Sequence, residues 1–114
     1  MAKLTNETFN ISFNLLRQFL KHIDSATAVE AAIFEQFGET EETIYELEQL
    51  QNIRERATSS YTRLHVLLLR IAEAQPVAAP ATIDLLTRSI EQAQATNAAA
   101  DASLHEIKQN RELL

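Results

Sequence analysis

The chain has 114 residues and a formal net charge of −6, with one glycine, two prolines and no cysteine. This length predicts a single domain over residues 1–114, and a single glycine excludes glycine-rich phosphate loops and nucleophile elbows. The lack of cysteine excludes disulfides, thiol catalysis and cysteine-ligated metal sites, while the acidic excess counts against binding nucleic acid or anionic membranes.

The first predicted element is a long helix from about Thr5 to Phe37. Its apolar residues recur at steps of four and three, which is typical of a helix face that packs on a core. These expected core positions are Phe9, Phe13, Leu16, Leu20 and Ile23. Gly38 follows, where a helix end favours a residue with positive φ.

Polar residues interrupt this first pattern between Asp24 and Thr27, where the apolar stripe also shifts in phase. The segment from Thr27 to Glu30 fits a capping box, which is a signature of a helix start. We therefore predict a continuous or kinked first helix, with a break that gives four helices as the alternative.

The second predicted helix runs from about Glu41 to Ala74, with Thr40 as its N-cap. It ends before Pro76, because proline disfavours helical geometry in the residue that precedes it. Its expected core positions are Ile44, Leu47, Leu50, Ile53 or Arg54, Ala57, Tyr61, Leu64, Leu68 and Ile71.

The third predicted helix begins near Pro80, a residue favoured in the first turn of a helix. Its expected core positions are Ile83, Leu86, Ile90, Ala93, Asn97, Ala100, Leu104 and Ile107. Short connections between long helices imply antiparallel neighbours, and no segment has strand periodicity. The predicted fold is therefore an all-α antiparallel up-down bundle of three long helices.

Chain reversal near Gly38 and Ala78 gives an approximate register for this bundle. Residue i of the first helix should lie beside residue 78 − i of the second, and residue i of the second beside about 156 − i of the third. This register predicts a polar layer within the core. Its members are Asn97, Ser59, Ser60, Tyr61, Arg54 and Asp24.

Asn97 occupies a core position in that layer, with Ser59, Ser60 and Tyr61 as candidate partners. Two interpretations stay open: a polar layer that determines helix register, or a pocket for a small polar ligand. Arg54 would either pair with Asp24 or extend to the rim without a partner.

A second set of apolar residues lies outside the expected core stripes. A helix that is apolar most of the way round is normally covered by something, so these residues either widen the core or form an association surface. We predict an interface composed of Ile11, Leu15, Val66, Leu69 and Leu85.

Few residues point to catalysis or to metal binding. None of the three histidines follows a glutamate at the spacing that di-iron helical bundles use. Arg17 and His22 have the spacing found in small helical toxin ribonucleases, and this six-residue segment resembles that family. The resemblance implies RNA cleavage with Arg17 and His22 as site residues.

We expect a non-enzymatic protein–protein interaction module, an adaptor or regulatory protein without a cofactor, that binds a second copy of itself as a homodimer or another helical protein. The alternatives are the ribonuclease that uses Arg17 and His22, and a small-ligand binder at Asn97. No partner nucleic acid or membrane is expected. The sequence shows no signal peptide and no membrane-spanning stretch, so the expected location is cytoplasmic.

Overall fold

The computed structural model describes residues 4–74 and 77–113, and three helices account for most of them. They are α1 (Asn6–Gln36), α2 (Ile44–Glu73) and α3 (Pro80–Asn110). No strand occurs within the described ranges, and each helix contacts both others in a rod of 56 × 19 × 17 Å. The predicted three-helix bundle is confirmed.

α1 begins and ends close to where the sequence predicted. The Thr5 hydroxyl accepts a hydrogen bond from the Thr8 amide at 3.1 Å, which caps the first turn. At the other end Gly38 has φ +73°, and its amide donates to the Ile33 carbonyl at 3.1 Å. Glycine adopts this left-handed conformation without steric penalty, which is why the helix ends there.

α1 is continuous through the segment where a break was the alternative. The Thr27 hydroxyl donates to the Ile23 carbonyl at 2.8 Å, one helical turn earlier. The side chain therefore bonds back along the helix and does not cap a new one, which is how threonine behaves within a helix. The four-helix alternative is wrong.

α2 begins three residues later than predicted, because Thr43 and not Thr40 precedes it. Thr43 is only 1% exposed, and its hydroxyl donates to the Gly38 carbonyl at 2.8 Å. The same hydroxyl accepts from the Thr40 amide at 2.9 Å, so it closes the turn between the helices. α2 ends at Glu73; the predicted stop at Pro76 lies outside the described residues.

The longer turn changes the register between α1 and α2. Arg54 Nη2 lies 3.2 Å from Glu30 Oε2, so Arg54 faces a residue six positions beyond the predicted Asp24. The register between α2 and α3 agrees with prediction, since Arg63 donates to Gln92 at 3.4 Å. α3 begins at Pro80, as expected.

The core-facing side of α1 differs from the predicted stripe. Phe13 is 57% exposed and Leu20 is 52% exposed, whereas Phe19 is fully buried. Phe9 and Ile23 are half-buried, and Leu16 alone of the predicted set is buried. The residues of α1 that are buried are Ser12, Leu15, Leu16, Phe19, Ala26, Val29 and Ile33.

The physical reason is that α1 carries two apolar stripes in its first half. The stripe through Phe19 continues in the second half with apolar side chains that reach Ile33. The stripe through Leu20 continues instead with Asp24 and Thr27, which are exposed and polar. Because burying the second stripe would bury Asp24, the helix turns the first stripe inward along its whole length.

Two clusters of buried side chains form the core. The first surrounds Phe19, Leu64 and Leu86, and the second surrounds Ile33 and Leu50. The buried alanines Ala57 and Ala93 of the first cluster, and Ala26 and Ala100 of the second, lie toward the middle of the rod. An alanine side chain reaches less far into the core than a leucine side chain does. The buried side chains therefore divide into two clusters at this level of the rod.

Arg111 joins the end of α3 to the start of α2. Its Nε donates to Glu46 Oε1 at 2.6 Å, and its Nη2 donates to the Glu42 carbonyl at 3.0 Å. The guanidinium also lies 4.9 Å from the centre of the Phe37 ring. Charge-assisted and cation–π contacts together hold the turn near Gly38 against the last turn of α3.

Candidate functional surfaces

The predicted interface residues differ in their exposure. Ile11, Val66, Leu69 and Leu85 are all exposed, but Leu15 is only 4% exposed. Leu15 belongs to the first core cluster, because it lies on the stripe of α1 that turns inward. Its assignment to an exposed interface is therefore wrong, while the role of the other four stays a prediction.

These four exposed residues do not form one continuous surface. Ile11 lines a groove between α1 and α3, and no described residue of α2 lines that groove. Val66 and Leu69 lie on α2, one helical turn apart. Leu85 lies on α3 and is also absent from the lining of the groove. The predicted interface thus divides between at least two sides of the bundle.

A different apolar surface follows from the orientation of α1. The outer stripe of α1 is composed of the half-buried Phe9 and the exposed Phe13 and Leu20, and it flanks the core-facing stripe. The rings of Phe9 and Phe13 are stacked with centroids 6.0 Å apart. Leu69 of α2 is level with this stripe in the observed register and is 47% exposed. The periodicity of the sequence identified the residues of this stripe, but we expected them in the core. The polar residues Asp24 and Thr27, farther along the same stripe, were the signal that it is exposed.

The predicted polar layer does not assemble around Asn97. Ser59 and Ser60 line a groove with Thr96 on the α2–α3 side. Asn97 lies on the side of α3 that faces α1, where its Nδ2 donates to Oε1 of Gln18. Adjacent residues on a helix point about 100° apart. Thr96 therefore faces α2, whereas Asn97, the next residue, faces α1.

The remaining members of that layer are also separated. Tyr61 is half-buried against the first core cluster, and its ring stacks on His65 with centroids 6.1 Å apart. Arg54 forms a charge pair, as one interpretation predicted, but with Glu30 and not with Asp24. Asp24 is exposed. The altered α1–α2 register accounts for this change of partner.

The α1–α3 groove has a volume of about 570 Å³ and a lining of both polar and apolar side chains. His22 Nε2 lies 3.5 Å from Asp101 Oδ1, and Lys21 and Gln18 lie nearby in the same wall. Two buried atoms, His22 Nδ1 and Asn97 Oδ1, have no hydrogen-bond partner among the described residues. Buried polar atoms without partners are rare in folded proteins, which makes this groove a candidate ligand site.

Arg17 and His22 do not come together. His22 lines the α1–α3 groove, whereas Arg17 is exposed and is absent from its lining. Residues five apart on a helix point in directions about 140° apart, which places the two side chains on different sides of α1. Within the described ranges, no three histidine, aspartate or glutamate side chains are grouped to hold a metal ion.

Comparison with known proteins finds no matching family model, no significantly similar curated protein and no significantly similar solved structure. Over the residues that the structure describes, no helix is both long and apolar enough to cross a membrane.

Proposed function

We propose that this protein is a non-enzymatic protein–protein interaction module that binds its partner through the outer stripe of α1. The observation that carries the proposal is the exposure of Phe13 and Leu20, at 57% and 52%, on a face of α1 that flanks a complete core stripe. Leu69 of α2, which is 47% exposed, is level with this stripe.

The energetics of burial support this proposal. Fully burying an exposed leucine or phenylalanine side chain contributes roughly 1.5–3 kcal/mol, and Phe13 and Leu20 retain about half of that exposure. The fold does not need Phe13 or Leu20 for this purpose, because Leu15, Leu16 and Phe19 already occupy the core face of α1. A bound partner is therefore the simplest way for these two side chains to leave water.

Site-specific photo-crosslinking tests the proposal. A benzophenone amino acid in place of Phe13 or of Leu20 is expected to form a covalent adduct in a lysate of the source organism, because a partner covers both positions. The same amino acid in place of Glu48, an exposed polar position on α2, provides the matched control. Adducts are identified by mass spectrometry. Equal labelling at all three positions, or none at positions 13 and 20, contradicts the proposal.

The α1–α3 groove favours a second candidate function, the binding of a small polar molecule. Asn97 Oδ1 can only accept a hydrogen bond, and it has no partner within the described part of the chain. His22 Nε2 lies 3.5 Å from the Asp101 carboxylate, and His22 Nδ1 is likewise without a hydrogen-bond partner among the described residues. Both atoms are covered by the lining of the groove, so a molecule with several hydrogen-bond donors, such as a small amine, amide or guanidinium compound, would have to displace lining side chains to reach them.

A thermal-shift measurement tests this second function. Small amines, amides and guanidinium compounds at millimolar concentration are expected to include one that raises the melting temperature. Bound at about 100 times its Kd, such a ligand adds roughly 2.7 kcal/mol of stability. The variant Asn97→Leu lacks the acceptor and should show no rise. A rise of equal size in Asn97→Leu, or none in the native protein, argues against the groove.

A further inference from the structure

We propose that the partner on the outer stripe is a second copy of this chain, with the two α1 helices packed antiparallel about a two-fold axis between residues 20 and 21. This inference rests on the proposed interaction function and names its partner. Two properties of one exposed face of α1 favour this partner: its charge and the sizes of its side chains.

The charges on this face are arranged for antiparallel self-association. Arg17 and Asp24 are seven residues apart, so they lie on the same face as Leu20 and almost equally far from it. Both are exposed, and neither belongs to an ion pair within the described part of the chain. Reversal about the midpoint of residues 20 and 21 places Arg17 of each copy opposite Asp24 of the other. An isologous contact forms this pair twice.

The sizes of the side chains along this face also favour the antiparallel arrangement. The first half of the face carries Phe9 and Phe13, whereas the stretch after Asp24 carries the exposed Thr27, Ala28 and Ala31, with the next large side chain at Phe34 beyond the segment that Phe9 and Phe13 would reach. The two-fold axis places Phe13 level with Thr27 and Ala28 of the other copy, and Phe9 level with Ala31. Large side chains therefore meet small ones, which permits close helix packing.

A parallel arrangement would lose both forms of complementarity. It would place Arg17 opposite Arg17 and Phe13 opposite Phe13, and like charges that face each other across an interface weaken it. Charge and size thus select the same orientation.

Charge reversal tests the contact between Arg17 and Asp24. The native protein is expected to be a dimer by sedimentation equilibrium, and Arg17→Asp or Asp24→Arg alone should weaken it by about 10-fold, since each replaces two attractions by two repulsions. An equal mixture of the two single variants should dimerise again, because both cross-pairs are then attractive. Arg56→Asp on α2 makes the same change of net charge as Arg17→Asp and should leave the dimer unchanged.

Cysteine cross-linking tests the orientation, since the chain has no cysteine of its own. Leu20→Cys lies next to the two-fold axis and should oxidise to a disulfide-linked dimer. Phe13→Cys is equally accessible, but its two copies would be about 22 Å apart along the helix axis and should not cross-link. Equally fast cross-linking at both positions indicates parallel packing and overturns the inference.

The outcomes separate this inference from the proposed function. If the native protein is a monomer, or the mixture of charge variants does not associate, the second copy is not the partner. Photo-adducts of a different protein at positions 13 and 20 then leave the proposed function standing. Adducts that contain only this chain support both.

Discussion

Replacing Phe19 by alanine is expected to lower the free energy of unfolding by about 3–5 kcal/mol. Phe19 is fully buried in the first core cluster, and the removal of its ring leaves a cavity that the surrounding helices fill only in part. A domain of this size is typically stable by about 5–15 kcal/mol, so the loss is a large share of the total. Urea denaturation measures it.

The matched control is the next residue, Leu20→Ala, which should change the unfolding free energy by about 0.5 kcal/mol or less. Both measurements belong in an Asp24→Arg background, where the proposed dimer is weakened and stability depends less on protein concentration. Similar losses for Phe19→Ala and Leu20→Ala would show that α1 does not present the face described above.

Replacing Leu50 by alanine is expected to lower the free energy of unfolding by about 2–5 kcal/mol. Leu50 is fully buried in the second core cluster, which also contains Ile33 and Leu104. Because short alanine side chains separate the two clusters, the amides around Ile33 should lose more hydrogen-exchange protection than those around Leu86. Amide exchange followed by mass spectrometry measures the difference.

Glu48→Ala, an exposed change on the same helix, is the control for Leu50→Ala and should have little effect on stability or exchange. Uniform loss of protection along the whole rod after Leu50→Ala would contradict the division of the core into two clusters.

The fold could be predicted from sequence because its signals are local. Gly38 ends α1 through its own backbone conformation, and Pro80 begins α3 because its fixed φ suits a first helical turn. Each of these depends on one residue and its immediate neighbours. The order, number and approximate length of the helices follow from such signals alone.

The orientation of α1 could not be decided by periodicity in its first half, where two apolar stripes compete. The second half of the helix decides it, because Val29 and Ile33 continue only one of them. Apolar periodicity followed over five turns of the helix would have predicted that Phe13 and Leu20 lie outside the core. The exposed surface that supports the proposed function was therefore present in the sequence but assigned to the core.

Pairings between helices were less accessible to sequence reasoning. The start of α2 depends on the hydrogen bond from Thr43 to the Gly38 carbonyl, which forms only when the turn has folded. This turn changes the α1–α2 register, so Arg54 pairs with Glu30. Asn97 bonds Gln18 because of how α3 is rotated, a property that no local signal reports.

An odd number of helices gives the single rod a direction: α1 begins at one tip, and α3 ends at the other, where Arg111 contacts the turn near Gly38. Antiparallel pairing of two such rods would cancel that polarity. Each tip of the pair would then show the start of α1 from one copy and the end of α3 from the other. A protein that binds one tip of the pair would find an identical binding site at the other tip. The dimer would therefore be a symmetrical rod with two equivalent ends.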